Sequence, residues 1–146
     1  MAFVAANYAK HNKAPLGQWV CAPTSTLGPF AEVPEDKRAK DPDYCGQCVS
    51  YVKTVCPSLP PTRDWKKGAP VKGKANLLPG TVIAMFSTSG CYEGHAAIYH
   101  HQNDVGITVY DQYRSGKAPK AIGPRLLRWG ANGRLNNGDE FHVVID

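Results

Sequence analysis

The 146-residue sequence lacks any run of about 18 apolar residues, so no segment has the length that a transmembrane helix needs. Residues 1–8 also lack the basic stretch and the apolar core of about 7 to 15 residues that mark a Sec signal peptide. We therefore expect neither membrane insertion nor export by the Sec route. The sequence also lacks an even number of cysteines. It has five, so at least one thiol stays free.

The composition favours one loop-rich globular domain over residues 1–146. Apolar residues make up 42% and charged residues 20%, which excludes a disordered chain. The 14 glycines and 12 prolines argue against a helical bundle and favour short strands joined by ordered loops. The net charge of +5 favours an anionic partner, although solvated surface lysines explain it equally well.

Apolar periodicity predicts a helix followed by an antiparallel sheet. Apolar residues spaced three to four apart predict a helix over residues 48–56, which Pro57 ends. Residues 11–43 are expected to be a solvated lead-in with room for one short helix, and residues 57–80 to be a long binding loop. Strands are predicted over residues 81–86, 95–101, 106–112 and 140–145.

Cys48 is a candidate nucleophile because it opens the predicted helix. Unpaired N–H groups and the helix dipole lower a thiol pKa there, and the N–H of Cys48 can also stabilise an oxyanion. A hairpin with an even register, residue 101 opposite 105 or 107, places His95 opposite or diagonal to Asp111. These two side chains would supply a base and the acceptor that orients it, and Gly94 leaves room for a substrate backbone.

This hairpin also predicts how the helix packs. One of its faces is expected to contact the helix stripe of Val49, Val52 and Val55. That face carries Ala97, Tyr99, Ile107 and Val109.

Other interpretations of the cysteines and His95 remain open. Cys48 can be a small core residue and His95 a hydrogen-bonded strand residue. Cys45 and Cys48 also fit a redox pair, or half of a zinc site that Cys91 and His95 complete. A disulfide between Cys45 and Cys56 is disfavoured, because the two lie more than one helical turn apart. Cys21 can pair with Cys45 or with Cys91.

Three short motifs follow one another along residues 44–116: GQCVSYV from Gly46, GHAAIY from Gly94 and GITVYDQY from Gly106. Together they resemble the CHAP domains of the NlpC-type, papain-like group of cell-wall cysteine peptidases. The segments WKKGAPV from Trp65 and LPGTVIA from Leu78 are similar to a group of amidase effectors delivered by type VI secretion.

The resemblance implies an α+β, papain-like fold with N-terminal helices packed on an antiparallel sheet. It implies a peptidoglycan amidase without metal or cofactor, in which Cys48 attacks an amide of the peptide stem and His95 transfers the proton. CHAP domains often have Glu then Asn where this chain has Asp111 and Tyr113, so Asp111 or Gln112 would orient His95. The expected oxyanion and substrate-binding residues are Gln47, Gly94, Gln112, Trp65 and Tyr92.

The same resemblance implies a monomer made in the cytoplasm, secreted, active in the periplasm of a target bacterium and paired with a cognate immunity protein. The alternatives are a phage-type or endogenous lysin of the CHAP family, and a cell-wall binding module that has lost the chemistry. Basic pairs at Lys66–Lys67 and at Arg125 and Arg128 are not accompanied by a nucleic-acid motif, so no nucleic acid is expected.

Overall fold

The computed structural model describes residues 1–33, 42–114 and 119–146. Within them lies one α-helix, α1, and a six-stranded sheet in the order β1-β6-β2-β3-β4-β5, with every neighbouring pair antiparallel. The elements are α1 (Cys48–Val55), β1 (Lys66–Pro70), β2 (Val82–Phe86), β3 (Tyr92–Gln102), β4 (Gly106–Tyr113), β5 (Lys120–Arg128) and β6 (Phe141–Ile145).

The predicted α+β class is confirmed. Of the expected N-terminal helices, the structure has α1; the described residues 1–33 and 42–47 form turns and isolated bridges, and residues 34–41, where the short helix of the lead-in could also fall, lie outside the described residues. Strands β1 and β5 were not predicted. No helix among the residues that the structure describes is long and apolar enough to cross a bilayer.

Helix α1 packs on the opposite sheet face from the one predicted. Tyr51, Val52 and Val55 share a core with Ala96 and Ile98 of β3. The predicted partners form a second core on the other face; they are Ala97, Tyr99, Ile107 and Val109. Both faces of β3 are apolar and buried, so alternation along the strand could not tell which face the helix covers.

The β3–β4 hairpin is partly in the expected register. Near the turn, His101 pairs with Thr108, an odd register that contradicts the predicted pairing with residue 105 or 107. A bulge beyond it restores the even register at Ile98 and Tyr110. Continued by one residue, that register makes Asp111 diagonal to His95, as one of the two predicted arrangements requires.

Cys21 and Cys45 form a disulfide across 24 residues. Of the two partners left open for Cys21, the structure therefore has Cys45 and not Cys91. Cys48, Cys56 and Cys91 are free thiols. The disulfide ties the N-terminal arm, residues 1–33, to the segment that leads into α1.

Loss of this disulfide should destabilise the fold. Because the bond closes a loop of 24 residues, the double variant Cys21→Ser/Cys45→Ser should lose about 3 kcal/mol of unfolding free energy. Urea denaturation without reductant measures it. The control Cys91→Ser changes an exposed free thiol and should leave the midpoint unchanged. Equal midpoints for the double variant and the wild type would contradict the prediction.

Candidate active site

Cys48 is the first residue of α1 and is half-buried. Gly46, at φ +79°, turns the chain into the helix, and its N–H donates to the carbonyl of Val20 at 2.9 Å. A side chain at Gly46 would be strained by this φ and would also press on Trp19 and Val33. The tight turn therefore fixes where the nucleophile candidate lies.

Gln112 holds the same turn from the sheet. Its side chain is fully buried, its Nε2 donates to the carbonyls of Val20 and Gln47 at 3.0 and 2.9 Å, and its Oε1 accepts from the Val20 N–H at 3.1 Å. The expectation that Gln112 orients His95 or binds substrate is therefore wrong: its amide is used to join the N-terminal arm to the start of α1.

His95 is bound through Nε2 to Oδ2 of Asp111 at 2.7 Å, and both side chains are buried. Since Nε2 is occupied, Nδ1 is the ring nitrogen left for the Cys48 thiol, whose pKa His95 lowers. The pairing of β3 with β4 ends at Ile98 and Tyr110, three residues from His95 along β3.

Two cations that sequence analysis did not place at the site surround Asp111. Arg125 donates to Oδ2 through Nε at 3.0 Å and Nη2 at 2.7 Å, and Lys120 Nζ lies 3.2 Å from Oδ1. Both come from β5. The Gly123–Pro124 pair in β5 is typical of a turn, so the strand was missed; a charged residue expected on a central strand was the available signal that a cation must lie nearby.

The protonation states of the three groups depend on one another. Burial raises the pKa of the Cys48 thiol, but hydrogen bonding to His95 and the imidazolium charge, with smaller contributions from Tyr92 and the Ala96 N–H, hold it below its ordinary value. Burial lowers the pKa of His95, yet Asp111 and Cys48 raise it to about 9. Burial raises the pKa of Asp111, and His95 and then Arg125 lower it to about 2. These interactions therefore favour the charged forms of all three groups: a thiolate, an imidazolium and a carboxylate.

Tyr92 lies beside the thiol, with its hydroxyl 3.4 Å from Sγ of Cys48 and 3.2 Å from the carbonyl of Gly94. Burial and the charge of Cys48 raise the pKa of Tyr92, so its hydroxyl stays protonated and can donate. Trp65 packs behind it, with ring centroids 5.0 Å apart, and donates to the carbonyl of Pro60. Trp65 is buried and is not among the groove residues, so the expectation that it contacts substrate is wrong.

A groove of about 950 Å³ opens in front of Cys48. Gln47, Tyr92 and Gly94 line it. The space beside the Gly94 Cα, at φ +113°, is filled by the Arg134 side chain. Because Gly94 has no side chain, this space holds Arg134. The prediction was that it would admit a substrate backbone. Among the described lining residues, the charged ones are Lys13 and Lys53.

The zinc and redox alternatives both need a thiol at Cys45. Its sulfur is bonded to Cys21, so Cys45 is not available as a thiolate ligand or as a redox partner of Cys48.

A thiol at a helix start, an imidazole from the sheet and a carboxylate behind it are the arrangement of papain-like cysteine hydrolases. Similarity to known proteins identifies a family within this class. The model of the domesticated amidase effector 2 family matches residues 31–144, so the chain belongs to that family. Domesticated amidase effector 2 of Ixodes scapularis is 38% identical, over 67% of this chain and 70% of that protein.

Two bacterial amidase effectors are also similar. A type VI secretion amidase effector 2 protein of Salmonella typhi is 32% identical, over 68% of this chain and 84% of that protein. The solved structure of type 6 secretion amidase effector 2 (Tae2) superposes with a TM-score of 0.59 and 30% identity, over 67% of this chain and 79% of that one.

The charge state of Cys48 can be tested without a substrate. Iodoacetamide should alkylate Cys48 as a thiolate below the ordinary thiol pKa, because His95 stabilises the anion. His95→Gln should move this reaction to higher pH. Peptide mass spectrometry between about pH 5 and about pH 9 measures both, and exposed Cys91 is the internal control. Parallel profiles for Cys48 and Cys91 would contradict the ion pair.

Proposed function

We propose that this protein is a cysteine amidase that hydrolyses an amide bond in the peptide stem or crosslink of bacterial peptidoglycan. The observation that supports it best is the charge arrangement at Cys48, which lines the groove: His95 lowers the pKa of the thiol, and its own Nε2 is held 2.7 Å from Asp111. A thiolate with a neighbouring proton donor is what acyl transfer needs.

The reaction has two steps. The Cys48 thiolate attacks the amide carbonyl carbon, and His95 gives its Nδ1 proton to the departing amine as the C–N bond breaks. Water then attacks the thioester, His95 takes a proton from that water, and the acid product leaves while Cys48 departs as thiolate. Asp111 stays ionised throughout and orients the imidazole.

Two donors beside the thiol suit the oxyanion of the tetrahedral intermediates. Cys48 is the first helical residue, so its N–H has no partner inside α1. The Tyr92 hydroxyl lies 3.4 Å from Sγ and can donate to an oxygen on a carbon bonded to that sulfur. Gln47 and Gly94 would bound the substrate on either side.

The groove suits an acidic peptide. Lys13 and Lys53 line its described wall. Peptide stems contain D-glutamyl and diaminopimelyl residues with free carboxylates, which these ammonium groups can pair with.

A cell-wall binding module is disfavoured by the same site, because a binding surface needs no thiol with a lowered pKa. A phage-type or endogenous lysin would share the chemistry and differ in delivery. We favour delivery by type VI secretion into the periplasm of a target bacterium, as the names of the similar bacterial effectors suggest. A cognate immunity protein would then protect the producer by covering the groove at Cys48.

Cys48→Ala should abolish the release of muropeptides from purified peptidoglycan, because the proposed thioester forms on the Cys48 sulfur. Cys91→Ser is the matched control and should keep full activity, since Cys91 is exposed and free. Asp111→Asn should cost less than His95→Ala, because the orienting residue does not itself transfer the proton. Mass spectrometry of the products identifies the bond. Residual cleavage by Cys48→Ala equal to the wild type would refute the proposal.

The site of action can be tested by adding a Sec leader to the chain in a Gram-negative host. Periplasmic protein should lyse the cells, whereas the same protein in the cytosol should be tolerated because peptidoglycan lies outside the inner membrane. Exported Cys48→Ala is the control and should be harmless. Equal toxicity in both compartments would point to another target. Rescue by a periplasmic partner would support the immunity protein.

A further inference from the structure

The carboxylate of Asp111 receives more donors than an orienting residue needs. His95 Nε2 and Arg125 Nη2 both lie 2.7 Å from the same oxygen, Oδ2, and Arg125 Nε lies 3.0 Å from it. Oδ1 accepts no hydrogen bond from the described residues, although Lys120 Nζ lies 3.2 Å away. The imidazole and the guanidinium therefore share one oxygen.

Strand β5 fixes the guanidinium in this position. Asp111 pairs with Gly123 and Val109 pairs with Arg125, so Arg125 is the diagonal neighbour of Asp111 on one face of the sheet. Its guanidinium also lies over the Tyr113 ring, 4.9 Å from the centroid. The Arg125 side chain is only 18% exposed, which limits competition from water.

Lys120 is held differently. Its Nζ donates to the carbonyls of Asp111, Ala121 and Gly123 at 2.8 to 3.0 Å. Lys120 therefore joins the backbones of β4 and β5 and adds charge near Oδ1, whereas Arg125 binds the oxygen that faces His95.

We propose that Arg125 is a positioning residue, which fixes the Asp111 carboxylate towards His95 and limits how strongly this carboxylate favours the imidazolium. An unopposed buried carboxylate would hold the proton on His95 more tightly. Such an imidazolium would be a weaker acid towards the departing amine. Only the effect on turnover rests on the proposed function, because the protonation of His95 is a property of the free protein.

The charged and titratable groups that the structure places around His95 come from four elements. They are Cys48 of α1, Tyr92 of β3, Asp111 and Tyr113 of β4, and Lys120 and Arg125 of β5. Of these, Arg125 is the cation that shares an acceptor atom with His95.

The test is an NMR titration of the His95 imidazole in the free protein, assigned with His95→Gln. In Arg125→Gln, the loss of a nearby positive charge should raise the pKa of His95 by about one unit. Arg125→Lys keeps the charge and should leave this pKa close to the wild-type value. Arg128→Gln, at the exposed end of the same strand, is the matched control and should change nothing.

Measuring kcat separates the effect of the positive charge of Arg125 from the effect of its hydrogen-bond geometry. Arg125→Lys loses the two-pronged contact, so kcat on peptidoglycan fragments should fall roughly tenfold or more while KM stays nearly constant. The inference is overturned if Arg125→Gln and Arg128→Gln titrate alike, or if Arg125→Lys keeps the wild-type kcat. Arg125→Lys covers the case in which Arg125→Gln does not fold. If the wild type cuts no peptidoglycan, the proposed function fails and the titration still decides this inference.

Discussion

A carboxylate without exposed surface must be held ionised by its neighbours, and in this protein that carboxylate is Asp111. Its partners are His95 from β3 and two cations from β5, and the sheet order places both strands beside β4. The imidazole is thereby fixed through Nε2, which leaves its other nitrogen towards α1. The charge on the thiol thus depends on a group that the thiol does not touch.

The helix and the central strands followed from apolar periodicity, whereas the two edge strands did not. Strands β1 and β5 contain Pro70 and Pro124, and proline within a predicted strand argues against it. At a sheet edge the missing N–H costs little, because one side of the strand has no partner strand. The face that α1 covers could not be predicted either, because Ala96 and Ala97 are both buried and equally suited to packing.

At the site, a candidate residue could be predicted from the sequence where a single short motif contained it. Cys48 at a helix start and His95 after Gly94 can both be named from the sequence alone. Gln112 could not be interpreted, because its partner Val20 lies 92 residues away. The contact of Arg125 with Asp111 depends on the register of a strand that was not recognised.

The N-terminal arm limits how far the chain can be shortened without disturbing the candidate active site. Val20 satisfies the buried amide of Gln112, Cys21 closes the disulfide, and Val4 extends the sheet by a bridge to Thr81. A chain shortened to begin just before α1 would keep every proposed catalytic side chain. It would also remove both hydrogen bonds between the buried Gln112 amide and Val20 and free the turn before the thiol, so truncation of the arm would disturb the alignment on which the thiol depends.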